Sequence, residues 1–160
     1  MGFKTADLCD QYHQELQICE ISFVSYGGKA RFSGPIATVE VLDDNVLVRQ
    51  AIETVPPGSV LVVDGGGSRR CALLGDQLAA LAQQRGLSGV ILNGCARDVA
   101  DLAKLQLGVL ALGSMPLKSR KEGKGKRDVV LKFGGVEWVP GHYAYADEDG
   151  VVISPRPLVE

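Results

Sequence analysis

Histidine is scarce in this chain of 160 residues: only His13 and His142 occur. That disfavours a multi-histidine zinc centre and a Ser-His-Asp arrangement, and both residues read as surface or turn positions. The four cysteines, Cys9, Cys19, Cys71 and Cys95, form no CxxC pair and no metal-like spacing, so they read as free thiols that partly fill the core. Long apolar runs are missing too. Residues 60–63 (VLVV) fall far short of the roughly 20 needed to span a bilayer. The opening MGFKTADLCDQ lacks the apolar centre of a secretory signal, so a cytoplasmic protein without membrane association is expected. Gly65, Gly66 and Gly67 are not followed by Gly-Lys-Ser/Thr, which excludes a P-loop, and their spacing fails GxGxxG. Charge of one sign is not in excess: the net charge is −2, and nothing global favours direct binding of nucleic acid. Lysines fall in loops, or at Lys104 on an amphipathic stretch, which argues against a desolvated Schiff-base lysine. No long linker, low-complexity tract or repeat interrupts the chain, so residues 1–160 are expected to form one domain.

What the chain has in quantity is glycine, 20 residues, which suggests tight turns and places of close backbone approach. Residues 3–12 read as a helix with Thr5 as N-cap. SGPIATVEV (33–41) reads as a strand and residues 45–54 as a helix ended by Pro56-Pro57-Gly58. The most informative stretch is 59–113. VLVVD (60–64) has the unbroken apolar character of a buried parallel strand closing in an acid. Residues 75–85 read as a helix, 90–92 as a strand, 99–106 as a short helix and 108–112 as a strand. Alternation of this kind predicts an α/β fold with a parallel βαβ core. Residues 129–133, 136–139 and 151–153 read as short strands joined by Gly-Gly, Pro-Gly and Asp-Gly turns, a more antiparallel C-terminal β layer.

Ligands of open α/β sheets collect outside the carboxyl ends of the strands. Two loops there come from consecutive strands. The first leads into Gly75-Asp76-Gln77-Leu78, where the N–H groups of a helix start and the helix dipole would seat a carboxylate. An ordinary helix N-terminus, with Asp76 complementing the dipole, accounts for the same residues. The second loop carries Arg97-Asp98. Arg97 has the geometry to grip a carboxylate through two hydrogen bonds, and Asp98 is a hard oxygen donor for Mg²⁺ or Mn²⁺. A surface ion pair is the plain alternative. From Lys118 to Arg127 (KSRKEGKGKR) six basic residues face Glu122 alone. That run reads either as a solvated loop or as an anion-attracting rim or docking patch.

Asp76, twenty residues, then Arg97-Asp98 resembles the D-x20-R-D signature of the metal-dependent 4-hydroxy-4-methyl-2-oxoglutarate aldolases, a family that includes the regulator of ribonuclease E activity A (RraA-like) proteins. FSGPIATVEV, PPGSVLVVDGGG, GLSGVILNGCARDV, FGGVEWVPG and YADEDGVVISP resemble family blocks in family order, across about residues 32–155. The resemblance implies a three-layer β/β/α sandwich and a homotrimer or a dimer of trimers. It implies a class II lyase with a divalent metal cation, Mg²⁺ or Mn²⁺, which cleaves 4-hydroxy-4-methyl-2-oxoglutarate to two pyruvates and decarboxylates oxaloacetate. By position, the backbone of Gly75, Asp76, Gln77 and Leu78 would bind the pyruvyl unit, with Arg97 on its carboxylate. Asp98 would be the metal ligand, and Asp76 would orient a proton-moving water. The alternative from the same family is a non-catalytic regulator that contacts ribonuclease E or an associated RNA helicase. Such members can lack the acid after the motif arginine; here Asp98 is present. Two departures stand out: Gly141-His142 where many relatives have Gly-Asp, and the richness of the basic run.

Overall fold

The computed structural model describes residues 2–159. In chain order its first elements are α1 (Thr5–Tyr12), β1 (Gln17–Ile18), β2 (Val24–Ser25), β3 (Phe32–Glu40), α2 (Val46–Thr54), β4 (Val60–Asp64), β5 (Ala72–Leu74), α3 (Asp76–Gln84) and β6 (Gly89–Asn93). Then come β7 (Cys95–Ala96), α4 (Val99–Leu102), β8 (Gly108–Ala111), β9 (Gly113–Ser114), β10 (Lys126–Arg127), β11 (Leu131–Phe133), β12 (Val136–Trp138), β13 (Tyr143–Asp147) and β14 (Gly150–Ser154).

Strands β3, β4, β6 and β8 lie side by side and parallel, as the alternating pattern predicts. Successive side chains of a strand point to opposite faces, and here both faces are covered. Leu61 and Val63 join Val48, Ala51 and Ile52 of α2, Leu78, Ala79 and Ala82 of α3, and Leu102 of α4 in one core. Val60 and Val62 turn the other way, to Leu131, Val136 and Trp138 of the β11–β12 hairpin. Burial on both sides is why VLVVD carries no polar alternation. The layers are therefore helices, sheet and hairpin. The antiparallel part is continuous with the parallel part: β13 pairs with β3, β14 with β13 and β1 with β14, which makes one curled mixed sheet. Phe32 lies against the backbone of Gly89 and Gly108 on neighbouring strands; a Cβ at Gly108 would stand 2.1 Å from its ring.

Three local expectations change. Thr5 is not the N-cap of α1; Lys4 holds that position without a side-chain cap. Instead the Thr5 N–H (2.7 Å) and Oγ1 (2.6 Å) donate to the carboxylate of Asp147 on β13, which clips the helix to the sheet. The helix expected over 99–106 stops at Leu102. Past it the chain tightens (Leu105 N to Leu102 O, 3.1 Å), and the carbonyls of Leu105 and Leu107 accept from Gly28 and Lys29 rather than from helical partners. The strand expected from 129 begins at Leu131, because the Val129 carbonyl is taken by Thr38 Oγ1 at 2.6 Å. All four cysteines are free, and three are buried. Among the described residues no helix is long and apolar enough to cross a membrane.

Burial pushes the Asp147 carboxyl up, but its bonds from Thr5, Asp149 and Gly150 outweigh this and hold it below the ordinary carboxylate value. A depressed native pKa stabilises the fold above the unfolded value of about 3.9, and that contribution is lost as pH falls through the native value. Asp147→Asn is therefore expected to cost about 1.5–3 kcal/mol in urea unfolding at neutral pH. The gap from wild type should close as the pH drops below about 4.

Candidate active site

Each central strand runs on into a shorter one: β4 leads to β5, β6 to β7 and β8 to β9. These three form a second small parallel sheet, in the order β5-β7-β9, past the carboxyl ends of the main strands. The residues that follow β5 and β7 are thereby set side by side. After β5 the chain turns at Gly75 into α3; after β7 comes Arg97-Asp98, with the Arg97 N–H bonded to the Leu74 carbonyl at 2.9 Å. Asp76 and Asp98, 22 residues apart in the chain, meet: the Asp76 N–H donates to Asp98 Oδ2 at 3.0 Å. The Asp98 carboxylate thus caps α3 from a neighbouring loop, where the macrodipole favours negative charge. Gly75 leaves the room for this contact, since a Cβ there would stand 2.7 Å from Asp98 Oδ2 and 3.4 Å from the Arg97 side chain.

Asp98 has φ 57° and ψ 40°, the left-handed region that costs most L residues about 1–2 kcal/mol but that Asp and Asn visit more readily. Its carbonyl accepts from Asp101 and Leu102 and so starts α4, while its side chain turns back to α3. The half-buried Arg97 reaches the Pro116 carbonyl through one guanidinium nitrogen at 3.4 Å, a weak bond that leaves most of its donors open. With the Asp76 N–H taken, the N–H groups of Gln77 and Leu78 are the open donors of the first turn of α3.

All six residues singled out from the sequence, Gly75, Asp76, Gln77, Leu78, Arg97 and Asp98, line one cleft of about 470 Å³. Sequence reasoning missed the side built by Asn45, Val46, Arg49, Gln50 and Glu53 of α2 and its approach; Ala72 and, from the run read as a solvated loop or an anion-attracting rim, Lys118, Ser119 and Lys121 also line the cleft. The basic run is therefore partly a cleft wall. Elsewhere on the largely exposed run, Lys124 pairs with Glu122 at 3.2 Å, and an Arg127 guanidinium nitrogen donates to Thr54 Oγ1 at 2.8 Å. Two adjacent acids anchor that wall. Asp43 binds Ser68 (2.6 Å) and Arg70 (2.7 Å), and these bonds hold its carboxyl below the usual range. The buried Asp44 is pushed up by desolvation but held down overall by N–H groups of Val46, Glu122, Lys124 and Gly123. His142 lies in the turn between β12 and β13, with its carbonyl bonded to the Ile36 N–H at 2.7 Å.

Among the described residues no group of three His, Cys, Asp or Glu side chains is placed to hold a metal. Mg²⁺ keeps several waters and is commonly bound by one or two carboxylates together with substrate, so a single acid suffices. Asp98 fits that role: Oδ2 is fixed by an N–H, as ligating carboxylates usually are, and Oδ1 remains available.

A mixed α/β sheet with charged groups gathered beyond the ends of its parallel strands defines an α/β protein of a class in which fold alone does not assign chemistry. The chain belongs to the family described as RraA-like (Aldolase/RraA), whose profile matches residues 5–153. A Bacillus cereus protein named "Putative 4-hydroxy-4-methyl-2-oxoglutarate aldolase" is 58% identical over 156 residues, covering 98% of each chain. A Geobacillus kaustophilus structure, described as an S-adenosylmethionine: 2-dimethylmenaquinone methyltransferase, superposes with a TM-score of 0.97 at 66% identity, over 98% of this chain and 97% of that one. The RNA-processing inhibitor RraA from Thermus thermophilis superposes with a TM-score of 0.95 at 47% identity, over 99% and 96%.

Proposed function

We propose that the chain is a divalent-metal-dependent lyase that cleaves 4-hydroxy-4-methyl-2-oxoglutarate to two pyruvates, with oxaloacetate decarboxylation through the same pyruvate enolate. One observation carries this reading: the Asp98 carboxylate is locked against the start of α3, next to Arg97 and two open N–H donors. Arg97 would take the substrate's 1-carboxylate by a charge-assisted pair of bonds. The N–H groups of Gln77 and Leu78 add fixed positive potential where the enolate oxygen develops charge. Asp98 would hold the metal, which when bound supplies Lewis-acid stabilisation of that charge. Asp76, exposed at the head of α3, would orient a water that removes the proton of the 4-hydroxyl. As the C3–C4 bond breaks, its electrons pass into the enolate, C4 becomes the carbonyl of the second pyruvate, and the water returns a proton to C3.

The test is pyruvate release from both substrates with Mg²⁺ and with EDTA. Release that chelation removes and Mg²⁺ or Mn²⁺ restores is expected; release no higher than that of the metal alone would overturn the reading. The homotrimer implied by the resemblance is checked by light scattering on the same sample.

The similarity to the Geobacillus protein raises methyl transfer, and the cleft speaks against it. It is lined by seven charged residues and no aromatic ring, a poor seat for the base and thioether of S-adenosylmethionine. The likeness to the Thermus inhibitor, with the exposed basic run, supports a second reading: a regulator that binds ribonuclease E or its helicase. A pull-down at low salt that retains neither partner removes it.

A further inference from the structure

The cleft holds a second group of polar donors, set apart from Arg97. Lys118 is bridged in parallel to Ala72 on β5, while the other edge of β5 pairs with β7, the strand that leads to Arg97. The segment after Leu117 therefore runs two strand spacings from the Arg97 strand, about 10 Å in backbone position. It is held rigidly. The Ala72 N–H donates to the Leu117 carbonyl at 2.8 Å, and Asp44 Oδ2 accepts from the N–H groups of Glu122 (2.8 Å) and Gly123 (3.0 Å). Two groups on it lack full partnership. Ser119 lines the cleft at 6% exposure, and its Oγ is buried with no hydrogen-bond partner among the described residues, a rare condition for a native hydroxyl. The Lys121 ammonium, also on the cleft, meets one neutral acceptor, Asn45 Oδ1 at 3.1 Å, and has three donors to place. Asn45 is itself tied to the Leu73 carbonyl at 3.3 Å, which fixes the acceptor that the exposed ammonium meets.

From this we infer that Ser119 and Lys121 form the seat for the second carboxylate of a 2-oxo dicarboxylate with a five-carbon main chain, whose first carboxylate lies on Arg97. The inference rests on the lyase reading for the pyruvyl end and adds what selects a dicarboxylate over pyruvate. On binding, the Ser119 side chain turns its buried hydroxyl towards the cleft and donates one hydrogen bond to the distal carboxylate, and the exposed Lys121 supplies the opposing charge. The bonds of this segment to Ala72 and Asp44 hold its backbone in place before the substrate arrives, which lowers the ordering cost of binding.

The experiment is calorimetric titration of the full chain, with Mg²⁺ present, against two probes: pyruvate and 2-oxoglutarate. The latter has the five-carbon main chain and both carboxylates of the proposed substrate but neither its 4-methyl nor its 4-hydroxyl, and without the hydroxyl it is not cleaved. Wild type is expected to bind 2-oxoglutarate about tenfold or more tighter than pyruvate. Ser119→Ala is expected to remove most of that preference and Lys121→Met all of it, with pyruvate affinity within about twofold of wild type in both. A wild type that binds pyruvate without preferring 2-oxoglutarate overturns this assignment alone, as does a preference that survives both substitutions. A wild type that binds neither probe overturns the pyruvyl site as well.

Discussion

Asp98→Asn is expected to lower metal-dependent pyruvate release about 10³-fold, an effect of roughly 4 kcal/mol on the barrier, within the several kcal/mol a Lewis-acid metal supplies. Asn is the informative substitution. Asp98 sits at φ 57°, which Asn tolerates, and an amide oxygen can still accept the Asp76 N–H at the start of α3. The variant removes the charge and keeps the geometry, so its melting temperature should stay within a few degrees of wild type. Asp98→Ala mixes the two effects, since it also deletes the cap and places a Cβ residue without polar compensation in the left-handed region. Turnover and thermal melting measured together separate them. Wild-type rates from Asp98→Asn after metal is removed and restored would sink the metal-ligand assignment.

The second large effect is expected at Arg97. Its side-chain bond to the Pro116 carbonyl, 3.4 Å, is too long to stabilise much, so truncation should scarcely change the fold. Its worth is in binding. Charge-assisted bonds contribute about 1.5–3 kcal/mol each, and partial solvent exposure of the side chain reduces the sum for a pair. Arg97→Ala is then expected to weaken pyruvate and pyruvyl substrates on the order of 10²-fold, near 3 kcal/mol, chiefly through KM. Arg97→Lys should restore only part of this, because an ammonium lacks the two-pronged geometry. A mutant with unchanged KM and pyruvate affinity would remove Arg97 from the carboxylate site.

Much of the sheet was legible because its strands obey one-dimensional rules. VLVVD reads as a doubly covered strand and is one, Val60–Asp64; GVILN and GVLA follow in the same register. The helix at 75–85 is legible from its helix formers and from Gly86, and the structure has Asp76–Gln84. Strands β5, β7 and β9 left no trace, since two or three residues are too few to show a period. Strand β13 was likewise unread, although Tyr143–Asp147 joins β3 to β14 in the sheet. Thr5 was misread because Ser, Thr, Asn and Asp announce an N-cap in sequence, while a carboxylate 142 residues away took its hydrogen bonds.

By itself the sequence determined which residue types the site contains and that they fall on consecutive loops. Asp76, Arg97 and Asp98 follow buried strands, and a parallel sheet puts such loops at one end. Only the tertiary structure decided how they meet. The small β5-β7-β9 sheet sets α3 against Asp98, and the bridge from Ala72 to Lys118 brings the basic segment to the same cleft. The strand pairings join residues 18 or more positions apart through backbone hydrogen bonds, which every residue type makes alike; their partners depend on the folded path of the chain and leave no local pattern to read.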